Sequence, residues 1–226
     1  MSDFSLAPNL TLIFGRKGTG KTSMSFRYLL NRMTPQAGNT DPASCTFVFD
    51  YKLEAAERLG VTPCTTERQC YDALAGRLVV FYPRPMFPPV PGENYEGADA
   101  RALRWFCQFV LAVSRGGAGR KVLMIDELRR FIPSRSDLIP LEIDQLFREG
   151  RIENIELVLS TQYPRDFAKT IREEVTEWIC FNINEPDNLD AVRPYFPSVD
   201  VAATLPRGEF VAYNRESGAQ MRGKLF

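Results

Sequence analysis

The stretch LTLIFGRKGTGKT, Leu10 to Thr22, decides the fold. Its opening LTLIF is apolar apart from Thr11, the pattern of a strand buried on both faces. GRKGTGKT, residues 15–22, then matches G-x-x-x-x-G-K-[ST] in full. Directly after it Phe26, Leu29, Leu30 and Met33 recur at i, i+3, i+4 and i+7, one face of an amphipathic helix. Between a strand and a helix, Gly15, Gly18 and Gly20 let the main chain curl so that its N–H groups point inward at phosphate oxygens, where the helix also presents its positive end. Lys21 is placed to reach the β and γ phosphates, and Thr22 to offer a hydroxyl to Mg2+. Arg16, Lys17, Thr19 and Ser23 complete the candidate nucleotide-binding set, although Lys17 reads equally well as an exposed loop lysine.

Two further strand patterns end in polar residues suited to the same chemistry. KVLMIDE, residues 121–127, runs from a buried strand into adjacent carboxylates. Asp126 is expected to hold the metal through water and Glu127 to orient and deprotonate an attacking water, the pair diverging because successive strand side chains point to opposite sides. IELVLSTQYPRD, residues 155–166, ends its strand in Ser160, Thr161 and Gln162. A neutral amide there can sense the γ-phosphate and help place the water, although an ordinary strand-to-loop transition gives the same spacing.

Outward from these blocks, apolar runs at Thr46–Asp50, Leu78–Tyr82, Trp178–Ile183 and Phe210–Tyr213 read as more strands. Helical spacing appears at Leu103, Phe106, Cys107 and Val110, ended by Gly116-Gly117, and at Ile139, Ile143, Leu146 and Phe147, closing at Gly150. Alternating strands and helices predict an α/β fold: a single P-loop NTPase domain over residues 1–226, with a mostly parallel central sheet and helices on both faces. The segment 83–94, PRPMFPPVPGEN, is too rich in proline for a helix or central strand and reads as an exposed loop. After Leu205 the chain alternates like a C-terminal β-hairpin with its turn near Glu216-Ser217-Gly218.

Composition narrows the chemistry. No histidine is present, which removes every Ser-His or Cys-His nucleophile and every histidine base. Catalysis must rest on carboxylates, Lys, Arg and amides. Lys plus Arg equal Asp plus Glu at 28 each, so any contact with nucleic acid must use a local basic surface. The five cysteines form no C-x-x-C pair, and reduced, mostly buried thiols are expected. No run approaches the length of a membrane span or signal peptide.

With GRKGTGKT, FVFDYKLE, VLMIDE, FREGRIENIELVLSTQYP and LPRGEFVAY on the page, the chain resembles the HerA/FtsK superfamily of ring-shaped DNA pumps, and in particular the genome-packaging ATPases of internal-membrane, tectivirus-like phages. The resemblance implies ATP hydrolysis on Mg2+ and a homo-hexamer holding ATP between subunits. It also implies an arginine given in trans, for which Arg151 and Arg148 are the candidates, Arg151 preferred because it follows Gly150. Asp50 and Lys52 look like the superfamily's D-x-K stretch. Cellular members carry anchoring or DNA-orienting domains, whereas this chain is nearly all motor. A viral enzyme is therefore expected, acting on double-stranded DNA with capsid or portal-vertex proteins, in the host cytoplasm and the virion. Arg129, Arg130 and Arg135 in LRRFIPSRS are candidate DNA-phosphate contacts.

Other classes stay open at this point: an assembly ATPase extruding single-stranded phage DNA, a scaffold that binds ATP as structural glue, and a small-molecule P-loop kinase. Against the kinase stand the absence of an arginine-rich lid and the STQ block. A GTPase lacks support because N-K-x-D is missing.

Overall fold

Along a strand successive side chains point to opposite faces, so strands with apolar residues at consecutive positions require a sheet covered on both sides. The computed structural model describes residues 10–35, 42–132 and 139–226. Among these, strands β1 (Leu10–Phe14), β2 (Cys45–Phe49), β3 (Leu78–Phe81), β4 (Lys121–Ile125), β5 (Ile155–Thr161), β6 (Glu177–Phe181), β7 (Glu209–Asn214) and β8 (Gln220–Lys224) form one sheet in the order β3-β2-β4-β5-β1-β6-β7-β8. β1 to β6 pair in parallel, and β7 and β8 are antiparallel. The helices are α1 (Lys21–Met33), α2 (Glu54–Leu59), α3 (Glu67–Ala73), α4 (Tyr95–Ser114), α5 (Leu141–Gly150), α6 (Lys169–Glu174), α7 (Pro186–Val192) and α8 (Val199–Ala202).

Leu12, Phe14, Phe47, Phe49, Leu123, Ile125, Leu157 and Leu159 join the core on the side of α4 and α5. The alternate residues Ile13, Val48, Met124 and Val158 join a second core with α1. Helix α5 begins later than its periodicity predicts. Pro140 disfavours helical backbone at the residue before it, so Ile139 packs against the core from outside the helix. In the proline-rich segment, Met86 and Phe87 pack on the core while Pro88 and Val90 are exposed. The hairpin turn is held by Asn214, whose Oδ1 accepts from the N–H groups of Glu216 (3.1 Å) and Ser217 (2.9 Å).

The α1 face also buries charge. Arg32 near the end of α1 pairs with Glu156 of β5 at 2.9 Å, and its guanidinium donates to the Tyr28 hydroxyl at 2.6 Å. The single proton of the Tyr28 hydroxyl has both Glu156 and Glu177 within reach as acceptors, while Thr11 of β1 donates to Glu177 at 3.1 Å. Arg120 lies 3.9 Å from the other Glu156 oxygen. Burial pushes the Glu156 pKa up against the pull of Arg32, so the two cations are what keep this carboxylate tolerable inside. Removing a partner from a buried ion pair costs about 3–5 kcal/mol. Arg32→Met is expected to lower stability by that order in urea unfolding, and a loss below about 1 kcal/mol would mean that Arg120 alone neutralises the cluster.

Candidate active site

Three neighbouring strands end almost level. Phe14 of β1 lies beside Thr161 of β5, and Leu159 of β5 lies beside Ile125 of β4. Because β5 sits between β1 and β4, Gln162 emerges between the glycine loop that follows β1 and the Asp126-Glu127 pair that follows β4. Distant parts of the sequence are thereby brought to one edge of the sheet, at the carboxyl ends of its parallel strands, where open α/β sheets bind ligands.

The loop has the conformation a phosphate cradle needs. Gly15 has φ 144, and a Cβ there would stand 2.7 Å from the Phe181 Cβ, so both the backbone and the space demand glycine. The Arg16 N–H donates to the Asn182 carbonyl at 2.9 Å, which ties the loop to the end of β6. Lys21, 7% exposed, donates from Nζ to the Arg16 carbonyl at 3.0 Å, and the Thr19 hydroxyl donates to the same carbonyl at 2.8 Å. Burial lowers the Lys21 pKa, and Glu127 and then Asp126 oppose that shift, placing both carboxylates within the field of this ammonium. Thr22 and Ser23, both half-buried, open α1, while Arg16, Lys17 and Gly18 are exposed.

At the end of β4 the chain departs from the expected alternation. The strand stops at Ile125, and Glu127 adopts a left-handed φ of 54, so a turn rather than the strand pleat separates the two carboxylates. A non-glycine residue held there stores about 1–3 kcal/mol of strain, and such positions concentrate at functional sites. The turn is fixed by Ser160, which accepts from the Glu127 N–H at 3.0 Å and donates to Asp126. Gln162 then takes up Glu127 twice: its backbone N–H and its Nε2 each donate to a carboxylate oxygen at 3.2 Å.

Lys52 reaches the second Asp126 oxygen at 3.1 Å and lies over the Tyr51 ring. Burial opposes its charge, but Asp126 and Tyr51 more than offset that and raise its pKa. Asp50 does different work, accepting from the Ala56 N–H at 2.8 Å in the first turn of α2. The donors available to a metal, the Thr22 hydroxyl and the Asp126 carboxylate, are all oxygen. That set fits Mg2+, which takes few protein ligands and fills its shell with water and phosphate oxygens. Lys52 and Ser160 already hold the Asp126 carboxylate in place.

Several expected residues lie elsewhere. Arg148 pairs with Asp144 at 2.9 Å and Arg151 stands 3.7 Å from Glu216, both well exposed, beside a cleft of about 420 Å3 between α5 and α6. They precede β5, at the opposite edge of the sheet from Gln162, so neither reaches the cradle of its own chain. Arg129 and Arg130, the candidate DNA-phosphate contacts, are each paired with an acid of their own chain. The burial of Leu128 and Phe131 winds Leu128–Phe131 into a 3-10 turn, which sets Arg129 on Asp166 at 2.7 Å and Arg130 over the Tyr51 ring and 3.9 Å from buried Asp99. Arg135 lies outside the described residues. Sequence reasoning missed Ser160 as the clamp on the Asp126 carboxylate and the Glu127 main chain, Asn182 beneath the loop, and Arg207 beside it.

Sheet order, glycine loop and paired carboxylates together define an α/β P-loop ATPase fold. Among solved structures the chain is similar to the genome-packaging NTPase B204 of Sulfolobus turreted icosahedral virus 2 in complex with AMPPCP, at TM-score 0.65 and 20% identity over 96% of this chain and 98% of that one. B204 has also been solved with ATP-gammaS and with AMP. The chain is likewise similar to VirB4 of Thermoanaerobacter pseudethanolicus (TM-score 0.64, 13% identity, 96% and 89% covered) and to the pCW3 conjugation coupling protein TcpA (TM-score 0.61, 14% identity, 97% and 60% covered). No protein-family model matches the sequence, and no curated protein is significantly similar to it. No described helix is long and apolar enough to cross a membrane.

Proposed function

We propose that this chain is a single-domain motor that hydrolyses ATP and drives double-stranded DNA into a viral capsid. The observation that carries the reading is the double hydrogen bond between Glu127 and Gln162 beside the glycine loop, in a chain matching almost all of B204 and almost all matched by it. ATP is held with its phosphates against the N–H groups of Gly18 to Thr22 and the Lys21 ammonium. Thr22 and Asp126 hold Mg2+, which when bound neutralises phosphate charge. Glu127 orients the attacking water and takes its proton.

Gln162 connects that base to the γ-phosphate position. A triphosphate that draws the amide toward itself changes the hold on Glu127, so the chemistry and the end of β5 move together. Six subunits form a ring, and the arginine-bearing edge beside the α5–α6 cleft meets the neighbour's nucleotide. The protein works in the host cytoplasm and remains with the virion, where capsid or portal-vertex proteins receive the ring.

The test is ATP turnover by purified protein with no DNA, with double-stranded DNA and with single-stranded DNA. Slow basal hydrolysis stimulated several-fold by duplex alone is the expected result. Stimulation by single strands alone would favour an extruder, and phosphate passed to a small-molecule acceptor would favour a kinase.

A further inference from the structure

The glycine loop has an outer wall formed by residues far along the chain. The turn before β7, Pro206 to Gly208, crosses its solvent side. Arg207 Nε donates to the Gly18 carbonyl at 3.1 Å, and the Gly208 N–H donates to the Thr19 carbonyl at 3.2 Å. Residues following β8 press on the same place. The Leu225 N–H donates to the Gly208 carbonyl at 2.8 Å, and a Cβ on Gly20 would lie 3.1 Å from the Leu225 side chain. The Phe226 ring covers Gly208 so closely that a Cβ there would approach it to 2.7 Å.

A peptide unit points its N–H and its C=O in opposite directions, so a carbonyl fastened outward fixes the N–H of the next residue inward. Fastening the carbonyls of Gly18 and Thr19 therefore aims the N–H groups of Thr19 and Gly20 into the cradle. Without those bonds a glycine-rich loop has many backbone states to lose before it can bind phosphate. We infer that Arg207 is a positioning residue of the nucleotide site: together with Gly208 and the Leu225-Phe226 pair it pre-sets the phosphate loop with its N–H groups turned inward. It acts on the polyphosphate through the loop backbone and not by touching the nucleoside.

The inference rests on the proposed nucleotide site and is tested without DNA. Binding of Mg-ATP and of Mg-tripolyphosphate is measured by calorimetry for wild type, Arg207→Ala and Arg207→Lys, along with KM and kcat for ATP. Arg207 is exposed, so the variants should melt with wild type. Loss of one hydrogen bond to the loop is expected to weaken both ligands by about fivefold. KM should rise by a similar factor while kcat stays within about twofold, the mark of a group that serves binding and not the chemical step. Arg207→Lys keeps a cationic donor and should regain most of the affinity. Phe226→Ala should shift both ligands in the same direction by loosening Gly208.

Weaker ATP binding with unchanged tripolyphosphate binding would put the guanidinium on the nucleoside and overturn the inference, as would unchanged binding of both. Wild-type protein that binds neither ligand would overturn the nucleotide site and the inference together. Hydrolysis indifferent to DNA, with the Arg207 effect intact, would support the inference and overturn only the packaging function.

Discussion

Glu127→Gln is expected to bind ATP at least as tightly as wild type and to turn it over at least about a hundredfold more slowly, the scale of a lost general base. The substitution is close to isosteric, and the surrounding hydrogen bonds can survive it. The Gln162 backbone N–H still finds an oxygen acceptor on the new amide, and the Gln162 side chain can rotate to offer its own oxygen to the new NH2. What disappears is the proton acceptor and one negative charge near the γ-phosphate. The second loss should favour binding, because Glu127 is the strongest carboxylate acting on Lys21. Binding by calorimetry and single-turnover hydrolysis separate the two effects. Turnover within about tenfold of wild type would remove Glu127 from the base's role.

How well the sequence foretold this site depends on how local each signal was. The cradle's strand, glycines, Lys21 and helix were legible because they lie in one continuous stretch, whereas the contacts from Asn182, Arg207 and Gly208 that hold its loop come from far along the chain and were not. The paired carboxylates and the STQ strand were legible as ends of buried strands. That they serve one nucleotide was expected from their chemistry; the direct contact of Gln162 with Glu127 was not, because it follows from β5 inserting between β1 and β4, a choice that long-range pairing makes. Ser160 shows the cost of that gap: a serine in an apolar strand carries no mark of clamping Asp126 and Glu127 until β4 lies beside it. The left-handed turn at Glu127 was hidden for the same reason.

Other misses had readable signals. Helix α3 is too short to establish a period, yet Thr66 and Gln69 spell a capping box, and both of its hydrogen bonds are present. The arginines in Leu128–Phe131 were read by charge alone. The apolar residues flanking them, Leu128 and Phe131, already implied a turn anchored in the core, and an anchored turn places its cations against whatever acids border it, here Asp99 and Asp166. Arg207 sits in a stretch whose alternation announces a hairpin, and no spacing rule connects residue 207 to residue 18.

Arg151→Ala is the other substitution with a large expected effect, about a thousandfold in kcat, the usual worth of an arginine given in trans. Strand β5 is seven residues long, which separates the level of Arg151 from that of Gln162 by roughly 20 Å within one chain. An arginine so placed leaves its own site untouched and can act only across a subunit boundary, which makes complementation decisive. Arg151→Ala and Glu127→Gln subunits should each be nearly inactive alone. Mixed in one ring, roughly a quarter of the boundaries pair an intact Glu127 with an intact Arg151 from the next subunit, and hydrolysis should return in that proportion. Arg148→Ala is the control, expected to stay near wild type because Arg148 is engaged by Asp144 one helical turn away. Recovery with Arg148→Ala in place of Arg151→Ala would transfer the role to Arg148. Failure of every mixture, with rings intact by size measurement, would leave each site self-sufficient and the shared-site motor without its central connection.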